Sequence, residues 1–76
     1  MHEKIKYNGE EYRVGYQHEI VENNKKIKAV TTAYIKDADD NVIAIGKSVC
    51  SKKDQFSKKL GRTIAKGRML KVLQAL

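Results

Sequence analysis

Lys58, Lys59, Arg62 and Lys66 recur at one-turn spacing late in a 76-residue chain, and they are the residues best placed to do chemistry. On a helix they form a strip about 12 Å long at 1.5 Å rise per residue. Phosphates along one DNA strand lie roughly 6 to 7 Å apart, so the strip can meet two or three of them, through charge and with steep salt dependence. Arg68 stands on the flank, and either arginine can fork onto a phosphate or a carboxylate. The charge is concentrated there: residues 51–76 carry eight Lys and Arg against Asp54 alone, a net of +7, whereas residues 1–50 carry eight bases and eight acids. An excess confined to the last third points to an anionic partner, either nucleic-acid backbone or an acidic protein surface.

Catalysis has much less to stand on. His18 falls on the inward face of a strand, where a hydrogen-bonded histidine is the ordinary expectation. One cysteine, Cys50, permits no internal disulfide, and with His2 and His18 it makes no zinc-ligand spacing. The acidic turn Asp37, Asp39, Asp40, Asn41 lacks the glycine at the sixth position and the glutamate at the twelfth that a calcium loop needs. Gly61-Arg-Thr-Ile-Ala-Lys-Gly67-Arg68 is no phosphate loop, since no Gly-Lys-Ser/Thr follows and it lies within a predicted helix. No catalytic residue, metal or cofactor is expected, and the chain reads as a binding protein rather than an enzyme.

The strip must be carried by a helix. Ser51 followed by Asp54 makes a capping pair, which predicts helix from about Lys52 to the end. At 100° per residue, Phe56, Leu60, Thr63, Ile64 and Gly67 share a stripe opposite the cations, and this is the predicted packing face. After Gly67 the apolar pattern changes side, since Met69, Val72, Leu73 and Leu76 lie about 180° from Leu60. Either the helix bends near Gly67 back onto the core, or its last turns dock on a partner or a second copy.

Upstream the period is two. Ile5 and Tyr7 allow an edge strand ending at the Asn8-Gly9 turn. From Glu11 to Val21, Tyr12, Val14, Tyr16, His18 and Ile20 alternate with mostly polar neighbours; from Ile27 to Asp37, Ile27, Ala29, Thr31, Ala33 and Ile35 do the same. A two-residue turn at Asn23-Asn24 sets Ile20 opposite Ile27, His18 opposite Ala29, Val14 opposite Ala33 and Glu19 opposite Lys28. A third run, Val42 to Cys50, pairs either through a two-residue loop at Asp39-Asp40, which puts Ala44, Gly46 and Ser48 beside Ile35, Ala33 and Thr31, or through a three-residue loop with Asn41 left-handed, which shifts the pairing by one. The first choice makes a floor of small residues, Ala29, Ala33, Ala44 and Gly46, onto which a helix can settle. The expected fold is α+β in a single domain, 1–76. An antiparallel meander of three or four strands, in 11–50, packs on one basic C-terminal helix, 51–76.

A chain of this length supports one small core, and no apolar run approaches the roughly 20 residues of a membrane span. Residues 1–8 lack the hydrophobic stretch of a signal peptide, so a cytoplasmic location is expected. Cys50, Asp54, Phe56, Gly61, Arg62, Ala65, Gly67 and Arg68 make the segment C-x3-D-x-F-x4-G-R-x2-A-x-G-R, which resembles small uncharacterised bacteriophage proteins. The resemblance covers about a quarter of the chain and implies provenance, a short phage product acting in a bacterial host, in a class that often binds nucleic acid or disables a host enzyme. Two functions are therefore expected. In one, Lys58, Lys59, Arg62, Lys66 and Arg68 hold nucleic-acid backbone with little sequence preference. In the other, the chain docks on an acidic host protein with Met69, Val72, Leu73 and Leu76 as apolar anchor, a stripe that also allows a homodimer.

Overall fold

A computed structural model describes residues 3–53 and 57–76. Four strands, β1 (Glu3–Tyr7), β2 (Glu10–Ile20), β3 (Ile27–Lys36) and β4 (Val42–Ser51), form one antiparallel sheet in the order β1-β2-β3-β4, followed by helix α1 (Lys58–Gln74). The α+β meander with four strands is thus realised. Asn8 and Gly9 both take positive φ, 52° and 81°, and their two-residue turn sets Tyr7 opposite Glu10. That is the geometry whose twist matches the flanking strands.

The β2–β3 hairpin keeps the expected faces but not the expected register. Val14 lies opposite Ile35, Tyr16 opposite Ala33, His18 opposite Thr31 and Ile20 opposite Ala29, a slip of two residues that leaves Glu19 facing Val30 rather than Lys28. The loop is the cause. Asn24 Oδ1 accepts from the amides of Lys26 and Ile27 at 2.8 and 2.9 Å, with Asn23 left-handed at φ 56°, so an Asn-centred loop replaces the tight two-residue turn. A shift of two preserves which side chains face inward, and it sets the bulky Tyr16 against Ala33.

Both alternatives for β4 contain part of the answer. Next to the turn, Asp37 N–H donates to Asn41 C=O, which is a three-residue loop, but Asp40 rather than Asn41 is the left-handed residue, at φ 66°. An irregularity at Ile35/Lys36 then shifts the ladder by one, so Ile35, Ala33 and Thr31 do pair with Ala44, Gly46 and Ser48. Ala29, Ala33, Ala44 and Gly46 are all buried, so the floor of small residues exists.

The helix differs from expectation in its start and in its packing face. Ser51 closes β4, and Lys52 N–H bonds Lys26 C=O; the cap is Ser57, whose hydroxyl accepts from Leu60 N–H at 3.2 Å. The proposed capping carboxylate Asp54 and the packing residue Phe56 lie outside the described residues. The buried stripe is Gly61, Ala65, Met69 and Leu73, four residues spaced by four, while Leu60, Ile64 and Gly67 are exposed. One unbroken helix runs through Gly67, so no bend is needed for Met69 and Leu73 to reach the core. The reason is closeness of approach. A Cβ at Gly46 would stand 2.2 Å from Met69 N and 2.3 Å from Ala65 O, and one at Gly61 would stand 2.6 Å from Thr31 Oγ1. The small stripe is what lets helix backbone touch sheet backbone, and Leu60 or Ile64 in that place would hold the two apart. The core is then Val14, Ala33, Ile35, Ala44, Ala65, Met69 and Leu73, flanked by Ile5, Tyr7, Tyr12 and Tyr16.

Candidate nucleic-acid interface

Because α1 seats mainly on β3 and β4, Val14 of β2 is buried with it but the inward Tyr16 and His18 of β2 and Glu3 of β1 are left only partly covered or exposed. The helix position one residue after each buried one, Arg62, Lys66 and Leu70, is rotated 100° toward that uncovered part of the sheet. Between the two runs a cleft of about 860 Å³, with Glu3, Tyr16 and His18 on the sheet wall and Lys58, Lys59, Arg62 and Lys66 on the helix wall. All four strip cations expected from the sequence therefore line a single concavity.

They are not equivalent within it. Lys66 Nζ bonds Glu3 Oε2 at 2.8 Å, and Tyr16 OH donates to Glu3 Oε1 at 2.8 Å. The lysine and the tyrosine hold the Glu3 carboxyl below its ordinary pKa. Burial, with the same carboxylate beside it, pushes the Tyr16 phenol up to about 12. Lys66 is thus engaged across the cleft. Among the described residues no carboxylate pairs with Lys58, Lys59 or Arg62, and these three are the cations available to an incoming anion. His18 is half-buried, with Nδ1 2.9 Å from Thr31 Oγ1, the buried hydroxyl under Gly61. Burial first, then the nearby Lys58 and Arg62, lower its pKa below the ordinary histidine value and so favour the neutral imidazole.

Arg68 stands apart from the strip. It leans the other way, over the free edge of the sheet, and donates to Lys47 C=O on β4 at 2.7 Å. There it caps an edge-strand carbonyl that would otherwise invite another strand. Of the apolar contact set, Met69 and Leu73 are core residues at 0% and 5% exposure, so they cannot anchor a partner; Val72 and Leu76 remain outside at 44% and 80%. With Leu60 and Ile64 they leave apolar surface on the flank of the helix away from the cleft. Tyr34, on the uncovered face of the sheet, lies over Gly15, where a Cβ would meet its ring at 2.3 Å.

Sequence reasoning missed Glu3, Tyr16 and Leu70 as members of the site. The available signal was the floor of small residues beneath the helix, confined to β3 and β4. Inward side chains too large for that floor, Tyr16 and His18, must lie beyond the rim of the helix. Among the described residues no group of three or more His, Cys, Asp and Glu is placed to hold a metal ion, and no helix is long and apolar enough to cross a membrane. Compared with protein-family models, curated proteins and solved structures, the chain matches none.

Proposed function

We propose that this protein binds nucleic-acid backbone with little sequence preference, through Lys58, Lys59 and Arg62. The observation that carries the reading is the concentration on one wall of a cleft of three cations that no carboxylate pairs with among the described residues, in a chain whose whole net charge of +7 belongs to its last third. A solvated helix face needs no such arrangement.

The salt dependence tests it. Three phosphate contacts on a single strand give a slope of log affinity against log salt of about −2, so affinity falls about 20-fold between 50 and 200 mM. Arg62→Ala removes one contact, and the same change in salt then weakens binding only about sevenfold. Fluorescence anisotropy with short labelled oligonucleotides reads both slopes; an unaltered slope in the variant, or no binding at 50 mM, would refute the proposal. The exposed Leu60, Ile64, Val72 and Leu76 favour a second reading, an inhibitor or adaptor that docks on an acidic host protein with these residues as its apolar contact. Under that reading nucleic acid is not bound at low salt, and Leu60→Ser releases a captured protein that Arg62→Ala merely weakens.

A further inference from the structure

The basic strip is a wall, not a ridge. A duplex offers its phosphates on a convex surface with the bases paired inside, and a protruding helix is the shape that meets it. Here the cations rim a concavity whose other wall is a tyrosine, a histidine and the Glu3 carboxylate that Lys66 already engages. Resting on the nucleic-acid reading above, we infer that the cleft takes a single strand, its phosphates on Lys58, Lys59 and Arg62 and its unstacked bases turned inward against the Tyr16 ring and Leu70.

Three observations carry this. Tyr16 and His18 are two apart on the same face of β2, so their rings rise from backbone positions about 7 Å apart. That is close to the spacing of successive nucleotides on an extended strand, so each ring can serve one nucleotide. The Tyr16 ring is tethered at its hydroxyl by Glu3, at 2.8 Å, and packs against the core, so ordering a base on it costs little side-chain freedom. The cleft volume of about 860 Å³ exceeds what phosphate contacts require and is ample for unpaired bases. Stacking on such platforms is indifferent to base identity, which agrees with charge-led binding of low sequence preference.

The experiment compares three labelled oligonucleotides of equal length on the unaltered protein: a single strand, the same strand with its central bases replaced by abasic sites, and the corresponding duplex. The abasic strand keeps every phosphate and loses only the bases. Expected is a loss of at least about fivefold for the abasic strand at an unchanged salt slope, with the duplex also weaker than the single strand. Tyr16→Leu, checked by circular dichroism for an intact fold, should narrow the difference between the normal and abasic strands; an undiminished difference would overturn the placing of a base on Tyr16. Equal binding of normal and abasic strands by the unaltered protein, or tighter binding of the duplex, would overturn the inference while leaving backbone binding standing. Failure to bind any of the three would overturn both.

Discussion

Gly46→Ala should damage this protein far beyond what one methyl group suggests. The new Cβ would sit 2.2 Å from Met69 N, 2.3 Å from Ala65 O and 2.8 Å from Met69 Cα, all backbone atoms of α1 that no rotamer change can move aside. The helix must therefore lift or slide, and the cost belongs at the top of the overpacking range, about 3 kcal/mol. A domain of this size has a total stability of roughly 4 to 11 kcal/mol, and each kcal/mol moves its melting midpoint by about 4–8 °C. The expected fall is about 12–24 °C in a thermal melt followed by circular dichroism. Gly67→Ala is the matched control, since its Cβ meets nothing within 4 Å in the same helix. It should gain about 1 kcal/mol from helix propensity and melt about 4–8 °C higher. A Gly46→Ala protein that melts within about 2 °C of the parent would refute the close seating of α1 on β4, and with it the reason the cleft is open.

Two other outcomes concern the site. Glu3→Gln removes the carboxylate that engages Lys66, so a fourth cation becomes available: single-strand binding should tighten and the salt slope steepen by about 0.7 in an anisotropy titration. His18 has a folded pKa below its ordinary 6.5, so its contribution to stability is present above pH 6.5 and is lost as pH falls toward the folded value, an effect that urea midpoints between pH 7.5 and 5 in parent and His18→Gln proteins should show. Bound phosphates would neutralise Lys58 and Arg62 beside it. Its pKa, followed by NMR, should therefore rise on binding, and a pKa that stays put or falls would place the anion elsewhere.

The period-two runs and the turn residues announced the sheet, because inward and outward positions differ plainly in Val14, Ala29, Ala33 and Ile35. The register of β2 on β3 was not legible: a slip of two residues keeps every side chain on its face, and only the hydrogen bonds of Asn24 choose between the possibilities. The helix was misread for a different reason. Apolar bulk at Leu60 and Ile64 looks like a packing face, but over a floor of alanine and glycine the favourable surface is the thin one, Gly61 and Ala65, which hydropathy does not reward. Charge was legible residue by residue, whereas its pairing was not. That Lys66 is held by Glu3 and Arg68 by a backbone carbonyl depends on which element each side of the helix faces.

The clasp from Lys66 to Glu3 joins the first strand to the last helix, across 63 positions of chain. The two walls of the cleft are therefore widely separated parts of the sequence that must meet. During synthesis β1 and β2 emerge with one wall complete and nothing opposite it, and the second wall arrives only with α1. A nascent chain can attract polyanions weakly through its lysines, but it has no cleft until α1 has docked. Anything held there in turn holds the helix to the sheet, so a bound strand would stabilise the whole fold in proportion to the logarithm of its concentration over its dissociation constant.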